Sequence, residues 1–247
     1  MVTPSRFEVV RQDFERGIKE VELLLALDPA DGDSASGEDA PSEAQNSEGV
    51  AVRRAAVVLV VSHFEGFLKN LAEDLTDVFN TGEFPASSLP QPLREIHIVP
   101  KLAEIVAARN ATQKFALMKK LDDVAALWKS QAKPSAGTLD SSTVARLITN
   151  AQRDCIDTLF STFGELNAVC AGDVEVWNFS SERFEPDNIE NRLLDVVRCR
   201  NDIAHGDAER RPTADDVQRY VTFFSALSKR LSIKAEQIED GVKAQQA

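Results

Sequence analysis

Seven consecutive residues near the C-terminal end, Arg200-Asn201-Asp202-Ile203-Ala204-His205-Gly206, combine groups that can act on a phosphodiester. A histidine moves protons near neutral pH. An arginine guanidinium clamps phosphate oxygens through paired N–H donors. Together these are the two groups needed to cleave RNA without a metal. The sequence has no GxGxxG, P-loop or GxSxG motif and no metal-ligand spacing. The functional reading therefore starts from this stretch, and neither a metal nor a cofactor is expected.

The elements that must position these groups can be read outward from the stretch. Ile189, Leu193, Val196, Val197, Ile203 and Ala204 fall on one helical line. A helix is expected from Asp187, with Glu190 approximating a capping box. Arg200 falls in the middle of the apolar line, where a guanidinium is costly unless it is paired or faces a polar cleft. Two arrangements satisfy it: a carboxylate from another helix, for which Glu65 is best placed, or an interface groove at this edge of the protein. At 100° per residue, Arg200 and His205 stand about 140° apart, so they converge only if the helix loosens near its end. Gly206 marks that end. A helix C-terminus favours the imidazolium form, which suits a general acid and base. Arg198, Asp202 and His205 share a second line, so Asp202 can orient the ring or neutralise Arg198. The plainer alternative is that His205 only caps the helix and Arg200 forms an internal ion pair.

Phe7, Val10, Phe14, Ile18, Val21 and Leu25 recur at three- and four-residue steps and predict a first helix ending near Asp28-Pro29. Residues 28–50 hold seven acids and no base and lack apolar periodicity, which predicts a disordered acidic loop. A long apolar helix is expected from about Val50 to about Asn80, with Thr81-Gly82, Pro85, Pro90 and Pro92 breaking it. Its run Ala55–Phe64 is too short to span a bilayer and reads as buried. Helices over Lys101–Ala108 and Ala111–Ser130 are expected as packing elements, with Lys119-Lys120 on a solvated face. His97 falls in an expected loop and carries no assigned role. Ser141 and Ser142 are placed to cap a helix through Ile148, and a further helix runs from Asp154 to Phe163 before Gly164. Val174–Phe179 can form a strand. Thr213 and Asp216 open a last helix running towards about Ile238. With about six or seven helices, the class is all-α, and the expected organisation is one helical domain over residues 1–247.

At this point the residues resemble a known family. Arg-Asn-x-x-x-His at a helix end, followed by a glycine and another long helix, is similar to the RNA-cleaving branch of the HEPN superfamily. Ser62-His63-Phe64-Glu65-Gly66-Phe67-Leu68 also resembles helices of bacterial stand-alone HEPN proteins of the RiboL-PSP type. The resemblance covers roughly residues 50–80 and 186–235. It implies an HEPN-like bundle with additional helices and attack of the RNA 2′-OH on the adjacent phosphorus. Arg200 and His205 would be catalytic, with Asn201, Asp202 and Glu65 in support and Arg198, Arg210 and Arg211 possible RNA contacts. It also implies a homodimer whose motifs share a cleft, a role as a toxin or antiphage effector, and an antitoxin or defence-system partner. A non-catalytic module binding nucleotide, RNA or protein is the alternative. In a branch silenced by tyrosine modification, the tyrosine stands two residues after the histidine. Asp207 stands there here, and Tyr220 lies inside the next helix.

Charge and cysteine usage bound these readings. The net charge is −12, and without the seven acids of residues 28–50 the remainder is only mildly acidic. RNA contact must then come from a local patch. Three cysteines without CxxC spacing and an N-terminus without a signal pattern fit a reducing cytoplasm and no membrane. Cys199 lies between two arginines but has no second histidine near it, so a cysteine nucleophile is not expected. His63 reads as a surface or packing residue.

Overall fold

The computed structural model describes residues 4–29, 43–119, 121–179 and 181–244. In chain order these form α1 (Arg6–Leu25), α2 (Glu43–Phe79), α3 (Gln91–Ala107), α4 (Ala111–Lys119), α5 (Asp122–Ala125), α6 (Ser141–Ala145), α7 (Arg153–Thr162), β1 (Asp173–Asn178), β2 (Arg183–Asn188), α8 (Ile189–Ala204) and α9 (Ala214–Ala244). The class is all-α, with one small antiparallel hairpin. Two compact units interleave along the sequence. One comprises residues 1–67, 150–153 and 170–233, and the other residues 68–149, 154–169 and 234–247.

The first unit is built on α1, the first part of α2, α8 and most of α9. α1 starts where the Ser5 hydroxyl accepts the Glu8 N–H, an N-cap that satisfies a free helix donor. Its periodic apolar residues are buried as their spacing predicts. Phe14, Phe64, Phe67 and Phe224 form the centre, with ring centroids of Phe64 and Phe224 4.3 Å apart. The close packing includes backbone: a Cβ on Gly17 would lie 2.6 Å from Nδ1 of His63. His63 therefore packs against α1, with its Nε2 3.2 Å from a Glu20 carboxylate oxygen. β1 matches the expected strand, but β2 carries Pro186 and has no apolar alternation. In a two-stranded ribbon each strand is an edge, which tolerates a proline. α8 begins one residue later than expected. Asn188, not Asp187, is its cap, accepting the Asn191 N–H, while Asp187 pairs with Val174 in the ladder and binds Arg192 at 2.8 Å.

Residues 30–42 of the expected acidic loop lie outside the described residues, as does Lys120. Both ends of the stretch 28–50 depart from that expectation. Asp28 is buried and ion-paired with Arg53 at 2.6 Å, and α2 is already helical at Glu43. Among the described residues α2 is the helix long and apolar enough to cross a membrane. Half of that window, within Ser47–Phe79, is nevertheless buried inside the protein, as in a core helix.

The second unit holds the rest of α2, α3 to α7 and the end of α9. Phe79 stacks on Phe163 at 5.8 Å, and Lys234 pairs with Glu165 at 2.5 Å. α3 starts ten residues earlier than expected. Pro92 sits in its first turn, where a missing N–H is harmless, and Pro100 lies inside it. His97 is consequently helical and buried rather than in a loop. Its Nε2 accepts the Asp140 N–H at 2.8 Å, which leaves Nδ1 to donate to the Leu93 carbonyl at 2.7 Å. The expected helix over 111–130 is broken into α4, α5 and a 3₁₀ turn. Phe115 and Met118 are exposed, whereas Val124 and Leu127 provide the packing. α6 is shorter than expected and is capped by Asp140 rather than by a serine. Gly164 does follow α7 in the left-handed conformation, at φ +91°.

Phe64 is fully buried among three other rings. Phe64→Ala is expected to lower unfolding free energy by about 3–5 kcal/mol, the cost of a large unfilled core cavity. Urea denaturation measures this, and a loss below about 1 kcal/mol would show that this centre is not tightly packed.

Candidate functional site

The groups singled out in the sequence meet on three pieces of the first unit: α2, the last turns of α8 and the segment 206–212. Buried Ile189, Leu193, Val196 and Val197 fix which face of α8 is inward. Arg200 lies on that face, as its spacing predicts, and pairs with Glu65 of α2. Both side chains are less than a quarter exposed, at 23% and 22%. The structure thus adopts the first of the two arrangements, a carboxylate from another helix. An ion pair so placed is sensitive to removal of either partner, because the other then keeps an uncompensated charge.

His205 is the C-cap of α8. Its N–H still donates to the Asn201 carbonyl at 2.9 Å, so the helix stays regular up to the histidine. Gly206 then takes φ +85°, its N–H bonding Ile203 and the Asp207 N–H bonding Asp202, which is a Schellman ending. The glycine terminates the helix as expected, but the loosening that would bring His205 round to Arg200 is not present. The two residues keep the roughly 140° separation of an ideal helix. Arg198 and His205 are exposed on the outer line of α8, with Asp202 and Asn201 half-buried beside it.

The segment after the helix is held from two sides. From α2, Nη1 of Arg54 donates to the carbonyls of Asp207 (2.5 Å) and Arg210 (2.7 Å), and Nε of Arg53 donates to that of Pro212 (3.0 Å). From α8, Asp195 accepts a bond from the buried Tyr220 hydroxyl at 2.9 Å and lies 3.4 Å from the Arg210 guanidinium. The buried Cys199 sulfur above all, then Tyr220 and Asp195, raise the Arg210 pKa further above the arginine value. Burial first, then Asp195, holds the Tyr220 hydroxyl far above the ordinary tyrosine range. Of the three arginines considered as RNA contacts, Arg210 is therefore engaged within the protein, while Arg198 and Arg211 are exposed. Cys199, fully buried, is not placed as a nucleophile. Among the described residues no group of three or more His, Cys, Asp or Glu side chains is arranged to hold a metal.

Arg53 and Arg54 were missed in the sequence. The signal was an adjacent arginine pair directly before the apolar run of α2, which reads equally well as a solvated first turn. α9 starts as its sequence predicts, with Thr213 and Asp216 exchanging side-chain-to-backbone bonds of 2.9 and 3.1 Å.

Gly206 has open space where a Cβ would stand, so a substitution there meets only the cost of positive φ. Gly206→Ala is expected to destabilise the protein by about 1–2 kcal/mol, with Gly206→Asn milder. Thermal unfolding checks both, and an alanine variant as stable as the parent would mean that the helix does not end in this way.

Comparisons with known proteins bear on what such a site belongs to. Neither the curated proteins nor the solved structures give a match. The sequence does match the RiboL-PSP-HEPN family over residues 15–237, a span that takes in α2, α8, Arg200, His205 and most of α9. With most of its length covered by that match, the chain belongs to the RiboL-PSP-HEPN family and carries an HEPN-superfamily domain.

Proposed function

We propose that this protein is a metal-independent endoribonuclease in which Arg200 and His205 act on one phosphodiester at the cleft of a homodimer. The observation that carries the reading is the contrast between the two side chains on α8. Arg200 is a preorganised cation held by Glu65. His205 is an exposed imidazole at a rigid helix end. Membership of an HEPN family supports an RNA-related role. The regular helix separates the two groups by about 140°. In this reading Arg200 of one protomer therefore meets His205 of its partner, related by a two-fold axis.

The chemistry follows from the residue types. The 2′-OH of the RNA attacks the adjacent phosphorus as His205 accepts its proton. The bond to the 5′-oxygen breaks, and that oxygen takes up the proton that His205 then carries, which returns the imidazole to its starting form. The products are a 2′,3′-cyclic phosphate and a 5′-OH end. Arg200 neutralises the charge that builds on the non-bridging oxygens. Glu65 orients the guanidinium, and Asn201 and Asp202 position the helix end rather than react. A ribonuclease of this kind fits a cytoplasmic toxin or antiphage effector restrained by an antitoxin or defence-system partner. Asp207 stands where a modifiable tyrosine would be needed for one form of restraint.

A second reading is favoured by one observation: Arg200 is already engaged by Glu65. In this reading the domain is non-catalytic and binds nucleotide, RNA or a protein partner. Incubation of total RNA in EDTA separates the two. Wild-type protein is expected to generate cyclic-phosphate ends, and His205→Ala to cut at least about 100-fold more slowly while keeping its helical circular dichroism. A His205→Ala protein that cuts as well as the parent refutes the assignment. RNA binding that needs Arg200 but yields no new ends selects the non-catalytic reading.

A further inference from the structure

Beside the helix end a groove is lined by Ala51, Arg53, Arg54, Gly206, Ala208 and Arg211, among others. Three guanidinium groups border it, and their charges are disposed differently. Arg53 pairs with the buried Asp28 carboxylate at 2.6 Å, so its charge is neutralised. Arg54 donates only to the backbone carbonyls of Asp207 and Arg210, both from Nη1. Carbonyls carry no net charge, so the positive charge of Arg54 is uncompensated, and its other two nitrogens have no hydrogen-bond partner among the described residues. Arg211 is exposed and likewise has no ion-pair partner among the described residues. Two uncompensated cations thus face one concave surface of a chain whose net charge is −12. A concave surface focuses their field, and a guanidinium with free N–H groups matches phosphate geometry.

We propose that this groove is a phosphate subsite for single-stranded RNA, held by Arg54 and Arg211. It deepens the ribonuclease reading and rests on it for the identity of the ligand. Gly206 belongs to the groove and directly follows His205. A strand whose phosphates occupy the groove therefore passes next to the imidazole. The contacts are to the backbone alone, so the subsite adds affinity without selecting bases. Arg53, already neutralised, holds the segment in place and contributes no phosphate contact.

The test is fluorescence anisotropy of the full chain with a labelled 2′-O-methyl oligoribonucleotide, which has no attacking 2′-OH, at several salt concentrations. Arg54→Ala and Arg211→Ala are each expected to weaken binding to the same degree for unrelated sequences. Each should also make the slope of log K against log salt shallower by about 0.7, the value for one phosphate contact on a single strand. Arg54→Lys keeps the charge and the carbonyl bonds and should restore the slope. If Arg54→Ala fails to fold, Arg211→Ala decides the matter, because its exposed side chain holds nothing in place. Wild-type protein without salt-dependent binding, or variants that bind like wild type with an unchanged slope, overturn the subsite. If the variants lose affinity but wild-type protein never cuts RNA, the subsite stands and the ribonuclease reading falls. If wild type cuts RNA and the variants bind normally, the reverse holds.

Discussion

A guanidinium on the inward line of a helix must be paired or face a polar cleft, and the pairing of Arg200 with Glu65 meets that requirement by tying α8 to α2. Much of the local architecture follows from how α2 serves this contact. Glu65 and Arg54 are eleven residues apart, which puts them on nearly the same line of α2, about three turns from one another. The carboxylate meets Arg200, and the cation meets carbonyls of Asp207 and Arg210 beyond the end of α8. α2 and α8 therefore run antiparallel here, with an ion pair at one height and Arg54-to-carbonyl bonds at the other. Phe64, next to Glu65, points into the aromatic centre against Phe224, so one turn of α2 serves the core and the ion pair together.

The same constraint defines what the Arg200–His205 stretch can do. Arg200 on the inward face and the exposed His205 stand about 140° apart on a regular helix, and the proposed site takes the two groups from different protomers. The helix holds its hydrogen bonds up to His205, and Gly206 ends it sharply. In the proposed dimer a shared two-fold site would bring the two groups together without distorting either helix. Asp195, Tyr220, Cys199 and Arg210 add rigidity from the other side, fixing the segment that leaves the histidine.

How much of this was legible in the sequence depends on how local the signal was. α1, α7 and α9 follow from apolar periodicity and caps. The placement of Arg200 on the apolar line and the glycine ending follow from helical spacing, whereas pairing with Glu65 was one of two arrangements that the spacing left open. β2 was not legible, because a short polar strand with a proline takes its shape from its partner β1. Nor was the start of α3, where prolines read as breakers although one occupies a first turn that tolerates it. The burial of Asp28 was hidden inside an acidic stretch, since its partner Arg53 lies 25 residues away. Arg54 and the Arg210 network escaped for the same reason: their roles consist of contacts to carbonyls, a thiol and a hydroxyl distant in sequence. The loosening expected from the 140° separation is not found, because the helix keeps its hydrogen bonds up to His205 and Gly206 ends it sharply.

The most direct test of the proposed two-fold site is subunit complementation. Arg200→Ala and His205→Ala proteins, each inactive alone, are mixed under conditions that exchange subunits, and RNA cleavage is measured. If the reacting pair is shared across a two-fold axis, half of the dimers carry one intact site out of two, and activity returns to about a quarter of wild type. A mixture that stays inactive although heterodimers demonstrably form would contradict a site built from Arg200 of one protomer and His205 of the other.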